Sequence, residues 1–110
     1  KMNDNVLKDM YDVIEDRRKN PEEGSYTCYL FNQGIDKILK KVGEECAETI
    51  IAAKNGNNTE LKNEVSDLIY HLLVMMNERG LPFEDVLGEC EERSKKIGNL
   101  KVMKKVDKNT

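Results

Sequence analysis

The chain has 110 residues, of which 38% are hydrophobic and 35% charged, and its 18 Lys and Arg against 21 Asp and Glu give a formal net charge of −3. This length suits one domain. No apolar run approaches the roughly 18 residues that a membrane-spanning helix needs, and the N-terminus lacks a signal-peptide pattern. The acidic total argues against nucleic-acid binding. We therefore expect a soluble cytoplasmic protein that binds neither membrane nor nucleic acid.

Composition also points to a helical fold. Aromatic residues make up 5% of the chain, and Leu, Ile, Val, Met, Ala, Glu and Lys are abundant, which favours packed helices over a β-sandwich. The three cysteines are far apart and form no CxxC motif, so neither a disulfide framework nor a zinc ribbon is expected. We expect an all-α domain with reduced thiols.

The N-terminal third contains one predicted helix and one predicted loop. Apolar residues recur at helical spacing over residues 4–19, and Pro21 ends this first helix. Residues 21–34 follow no helical period, contain two glycines and include half of the aromatic residues of the chain. The segment 21–34 is therefore predicted to be a loop.

Two long helices and a shorter one follow. Helical apolar stripes cover Ile35–Lys54 and Glu60–Arg79, and about five residues join them, which predicts antiparallel neighbours. A fourth helix begins near Pro82. We predict an all-α domain over residues 1–97 with a four-helix-bundle-type core. Few large core residues are available, so we expect dimerisation to complete this core.

The last segment, residues 98–110, differs in charge from the rest of the chain. It contains four Lys and one Asp. A terminal segment of this composition is predicted to be a flexible basic tail that follows the folded domain.

Acidic residues form two compact groups on the two long predicted helices. The first helix has GEECAE, with Glu44, Glu45 and Glu48, and the second has EVSD, with Glu64 and Asp67. Residues three apart share a helix face, so each helix presents a carboxylate pair. In an antiparallel hairpin the two pairs are level, and they border the apolar stripes that pack against each other.

Such a concentration of carboxylates requires a positive partner. Like charges on one helix face are destabilising, and near a buried seam the cost rises. Oxygen ligands without Cys or paired His select a hard cation, so we predict Mg²⁺, with Mn²⁺ as an alternative. Because Mg²⁺ keeps positions open for phosphates, the pattern indicates phosphate-ester or anhydride chemistry. The alternative is that these acids are ordinary solvated helix residues.

The two acidic motifs resemble a known family signature. GEECAE, a gap of fifteen residues and EVSD fit EExxE followed by ExxD, the signature of the all-α nucleoside triphosphate pyrophosphohydrolases, which include MazG-like enzymes. The strings SYT, KKVGEE and DLIYH narrow the resemblance to the phosphoribosyl-ATP pyrophosphohydrolases of histidine biosynthesis. The resemblance covers residues 10 to 96 or so.

The resemblance implies an activity and a set of roles. The activity is Mg²⁺-dependent hydrolysis of the α,β-phosphoanhydride of phosphoribosyl-ATP to phosphoribosyl-AMP and pyrophosphate, the second step of the pathway, usually by a homodimer whose site uses both chains. By motif position, Glu45, Glu48, Glu64 and Asp67 resemble the metal ligands. Glu44 is then assigned to orienting or deprotonating the attacking water.

Other candidates flank the acids. Lys41 and Lys54 resemble residues on the phosphate side of the family's site, although pairing with nearby glutamates explains them equally well. Ser25 and Tyr26 of the SYT string are candidates for substrate binding, with a hydroxyl for phosphate and a ring for adenine or ribose, but Ser25 can also cap a turn. His71 lies on the same helix face as Glu64 and is a candidate partner behind the ligands, or a packed core residue.

Two other functions stay open from the residues alone. A house-cleaning pyrophosphatase for non-standard nucleotides would use the same acids with a different pocket. A non-catalytic helical dimerisation module would leave the acids solvated and use the apolar stripes to bind a partner helix. The SYT and DLIYH strings favour phosphoribosyl-ATP over other nucleotides.

Overall fold

The computed structural model describes residue 2 and residues 4–96, and this part of the chain is all-α without strands. The predicted all-α class is confirmed. The basic tail predicted for residues 98–110 lies outside the described residues. The five helices of the described part are α1 (Val6–Lys19), α2 (Tyr26–Gln33), α3 (Ile35–Lys54), α4 (Asn58–Glu78) and α5 (Phe83–Ser94).

Helix α2 corrects the prediction of a loop over residues 21–34. The side chain of Ser25 accepts a hydrogen bond from the backbone N–H of Cys28 at 3.2 Å and so caps the first turn. Eight residues are too few to establish a helical period in the sequence. The helix forms because Cys28 and Leu30 are buried, and Leu30 is part of the hydrophobic core.

Gly34 alone separates α2 from α3. Its φ of +90° lies in the region that favours glycine, and it allows the chain to change direction between two helices without a longer loop. The aromatic segment is therefore fixed against the start of α3.

Helices α3 and α4 form the predicted antiparallel hairpin. Their connection is residues 55–57, shorter than predicted, because α4 begins at Asn58 rather than Glu60. The side chain of Asn57 accepts a hydrogen bond from the backbone N–H of Glu60 at 3.1 Å, which caps α4 early.

The core lies where α1 and α2 cover one side of this hairpin. Leu30, Ile38 and Val74 are fully buried, and residues of α1 complete the cluster. The chain therefore has a packed core of its own on one side of α3 and α4. The core residues are Tyr11, Ile14, Leu30, Ile38, Leu73, Val74 and Met76.

Helix α5 is the least integrated element. None of its residues is buried, and Phe83 contacts Tyr11 with ring centroids 6.0 Å apart. The hydroxyl of Tyr11 donates to the carbonyl of Leu81 at 2.8 Å and fixes the turn before α5. No helix within the described residues is long and apolar enough to cross a membrane. The three cysteines are free thiols in the structure.

Candidate active site

Three carboxylates converge between α3 and α4. Glu45 and Glu48 lie one turn apart on α3, and Glu64 comes from the facing turn of α4. One oxygen from each lies within 4.8 Å of the others. The hairpin thus brings together three of the four residues predicted as metal ligands.

Two of these carboxylates have an oxygen without a hydrogen-bond partner. Glu45 is only 6% exposed, and its Oε2 is buried with no donor in reach. Glu64 Oε2 is also buried and unpartnered. An unpaired buried carboxylate oxygen is costly, and a hard cation is the ligand that this oxygen-only donor set fits. Within the described residues, the arrangement supports a cation site better than a solvated acidic face.

The cluster also changes the protonation of Glu64. The pKa of Glu64 is raised to about 7, first by a hydrogen bond with Glu48 and then by burial and the nearby negative charges. Without a cation, the cluster is therefore stabilised at mildly acid pH by a proton held between two carboxylates.

Lys41 forms an ion pair with the cluster. Its Nζ lies 3.7 Å from Glu45 Oε1, one turn away on the same helix. Partial burial alone would lower the pKa of Lys41, but Tyr26 and the nearby glutamates outweigh it, so its pKa is raised and the side chain stays charged. The ammonium group pairs with Glu45, and binding of substrate phosphates by Lys41 stays a prediction.

Glu44 and Asp67 lie next to the cluster but outside it. Both are exposed, and neither belongs to the group of converging oxygens found in the described residues. Glu44 is close enough for its charge to raise the pKa of Lys41. Two roles stay predictions: metal binding by Asp67, and activation of water by Glu44 as a base.

His71 connects the acidic helix to α2. His71 is buried, its Nδ1 lies 2.7 Å from the carbonyl oxygen of Asp67, and its Nε2 lies 3.0 Å from the hydroxyl of Tyr26. The second residue of the SYT string thus contacts the last residue of the DLIYH string.

Ser25 and Lys54 occupy positions with evident structural roles. The oxygen of Ser25 accepts the N–H that caps α2, which leaves its O–H free to donate elsewhere. Lys54 ends α3 six residues after Glu48, about 9 Å along the helix from the nearest member of the cluster on α3. Substrate binding by either residue stays a prediction.

The sequence analysis did not single out the partners that surround Tyr26. Thr27 and Tyr70 share a hydrogen bond between their hydroxyl groups. The ring of Tyr26 lies near those of Tyr29 and Tyr70, with centroid distances of 6.0 and 6.1 Å. The signal available in the sequence was that SYT and DLIYH, the strings that carry the family resemblance, each contain a tyrosine.

A family model described as phosphoribosyl-ATP pyrophosphohydrolase matches residues 7–94. The chain belongs to this family. The match includes the three converging carboxylates, Glu44 and Asp67, and both tyrosine-bearing strings.

Individual relatives agree with the family match. The phosphoribosyl-ATP pyrophosphatase of Clostridium acetobutylicum is 55% identical over 96 residues, which cover 87% of each chain. That of Listeria welshimeri is 52% identical over 102 residues, covering 93% of this chain and 98% of the relative. The histidine biosynthesis bifunctional protein HisIE of Thermoanaerobacter pseudethanolicus is 61% identical over 88 residues, 80% of this chain but 41% of that protein.

Proposed function

We propose that this chain hydrolyses the α,β-phosphoanhydride of phosphoribosyl-ATP to phosphoribosyl-AMP and pyrophosphate in the cytoplasm, with Mg²⁺ as its cofactor. Membership of the phosphoribosyl-ATP pyrophosphohydrolase family makes it a hydrolase of phosphoric anhydrides in histidine biosynthesis. The observation that carries the proposal is the convergence of Glu45, Glu48 and Glu64, with two buried oxygens unpaired.

The residues of the site have different proposed roles. Glu45, Glu48 and Glu64, with Asp67 one turn further along α4, would hold the ion. A bound Mg²⁺ supplies Lewis-acid stabilisation of phosphate charge and lowers the pKa of a coordinated water. Lys41 neutralises charge on the phosphates.

The nucleophile requires a separate group. Glu44 is exposed and outside the cluster, so its carboxylate is free to accept a proton from the attacking water while the other acids are engaged. Glu44 is exposed although the next residue, Glu45, is buried, because successive residues of a helix point about 100° apart. Glu44 therefore points away from the hairpin seam.

The direct test is pyrophosphate release from enzymatically prepared phosphoribosyl-ATP, with Mg²⁺ and with EDTA. We expect release with Mg²⁺ only, because the anhydride needs charge neutralisation that the carboxylates cannot give alone. ATP, dCTP, dUTP and ITP are the controls. Release of pyrophosphate from those nucleotides but not from phosphoribosyl-ATP would support the metal site and contradict the proposed substrate. No release from any nucleotide would contradict the proposed enzymatic activity.

We also propose that the active form is a homodimer associated through an apolar patch on α3 and α4. The patch consists of Leu39, Cys46, Ile50 and Val65, all exposed, with Gly43 among them. Leu39, Gly43, Cys46 and Ile50 recur every three or four residues and so share one side of α3. An exposed apolar patch on helices that already form the core indicates an association surface.

Ile50→Asp and Ile51→Asp form a matched pair that tests this patch. Ile50 and Ile51 are 68% and 58% exposed, but they point about 100° apart on α3. We expect wild type and Ile51→Asp to have twice the 12.7 kDa chain mass by light scattering, and Ile50→Asp to have the mass of one chain. A wild-type monomer, or equal behaviour of the two variants, would contradict the proposed surface.

A further inference from the structure

Two hydrogen bonds determine which nitrogen of His71 is protonated. A backbone carbonyl can only accept, so Nδ1, 2.7 Å from the oxygen of Asp67, must carry a hydrogen. In the neutral ring Nε2 is then an acceptor, and the Tyr26 hydroxyl 3.0 Å away must donate to it. The bonds therefore run in one direction, from Tyr26 through His71 to the backbone of α4.

The Tyr26 hydroxyl is suited to the donor role. Burial raises the pKa of this hydroxyl, which keeps its proton at neutral pH. Because the proton is committed to His71, the hydroxyl does not donate to a substrate phosphate. Tyr26 is 45% exposed although its hydroxyl bonds the buried His71, so part of the side chain beside that hydroxyl is open to solvent.

The position of that ring relates it to the candidate active site. The Tyr26 hydroxyl bonds His71, which in turn contacts the backbone of Asp67, one turn from Glu64 on α4. Lys41 and Glu45 are near enough for their charges to act on the pKa of Tyr26. Tyr29 extends the aromatic surface, and Lys37 Nζ lies 5.9 Å from the centroid of its ring. An aromatic surface next to a phosphate-binding cation suits the base or ribose of a nucleotide.

We propose that His71 is a positioning residue, which holds the ring of Tyr26 as a binding surface for the part of the nucleotide outside the scissile anhydride. The proposal rests on the proposed function of the acidic site and deepens it by assigning substrate recognition to the contact between SYT and DLIYH. That contact is double, because Thr27 also bonds Tyr70. Helix α2 is thereby fixed to the helix that carries Glu64 and Asp67.

The chain's single histidine permits a direct test of the tautomer. In nitrogen-labelled protein, ring nitrogen NMR at about pH 8 should show the proton on Nδ1. Tyr26→Phe should shift the Nε2 resonance, which loses its donor, and leave the proton on Nδ1. A proton on Nε2 in the wild type would overturn the proposal. This readout needs no substrate, so it stands or fails separately from the proposed function.

Kinetics test the positioning role. Tyr26→Phe and His71→Asn should each raise KM for phosphoribosyl-ATP about tenfold, the size expected for one lost ordered contact, with little change in kcat. His71→Asn keeps a donor near Nδ1 but loses the acceptor for Tyr26. His71→Gln reaches further and can accept from Tyr26, so it should retain most of the wild-type KM.

A double variant and a matched control complete the test. Tyr26→Phe with His71→Asn should be no worse than either change alone, because both remove the same bond. Tyr11→Phe removes an equivalent tyrosine hydroxyl bond, to the carbonyl of Leu81 at 2.8 Å, and should lower thermal stability without raising KM. Additive effects, an unchanged KM in folded His71→Asn, or a loss confined to kcat would overturn the proposal.

Discussion

Glu64→Gln is expected to lower kcat/KM for phosphoribosyl-ATP by about a thousandfold, because it removes a charge from the carboxylate cluster that holds the proposed cation. Within the described residues Glu64 is the member of the converging group that α4 supplies, and Asp67, the other proposed ligand on α4, lies outside that group. Steady-state turnover with saturating Mg²⁺ measures the effect. The variant should also lose the thermal stabilisation that Mg²⁺ gives the wild type.

The same substitution is expected to stabilise the metal-free protein at alkaline pH. The pKa of Glu64 is raised from 4.5 to about 7 in the folded chain. A folded-state pKa above the unfolded value means that the wild type loses stability as pH rises through about 7. Gln cannot ionise and avoids that loss, so in EDTA its advantage in melting temperature should be larger at about pH 8.5 than at about pH 5.

Glu91→Gln is the matched control for both measurements. It removes one carboxylate from the exposed surface of α5, outside the cluster, and should leave turnover and Mg²⁺-dependent stabilisation unchanged. Near-normal turnover by Glu64→Gln would contradict the assigned site. If Glu64→Gln loses as much stability at alkaline pH as the wild type does, the repulsion within the cluster is contradicted.

Glu44→Gln should reduce kcat by roughly a hundredfold, the lower end of what a general base contributes. Glu44 is exposed and outside the converging group, so the substitution should leave Mg²⁺-dependent stabilisation intact. Turnover and thermal melting with and without Mg²⁺ therefore separate the two acids: Glu64→Gln loses both properties, and Glu44→Gln loses only turnover. If Glu44→Gln also loses the response to Mg²⁺, Glu44 is a ligand and a different group must activate the water.

Much of the site follows from local sequence periodicity. Carboxylates three residues apart on α3 and a short connection to α4 were sufficient to predict that Glu45, Glu48 and Glu64 meet. The side of the helix that Asp67 faces depends on how α4 rotates against its neighbours, and spacing within one helix does not fix that rotation. Asp67 is exposed, although it follows Glu64 by a single turn.

Contacts between segments far apart in the sequence could not be predicted from the periodicity of single helices. Tyr26 and His71 are 45 residues apart, and no periodic pattern links them. The helix that carries Tyr26 was predicted as a loop, since its stability comes from the Ser25 cap and from burial of Leu30 rather than from its own pattern. The family resemblance of SYT and DLIYH indicated that both strings matter without indicating that they touch.

Helix α3 carries three kinds of contact, and two of them share one side, because Glu45 lies within about 20° of Ile38 and of Ala52 around the helix axis. Ile38 and Ala52 face the core, Glu45 and Glu48 face the carboxylate cluster, and Ile50 faces the proposed association surface. What remains is a narrow exposed strip. In a saturation mutational scan, tolerance on α3 should therefore be confined to that strip, and sequence drift between related enzymes should concentrate there. The strip contains Asp36, Lys40, Ala47 and Ile51.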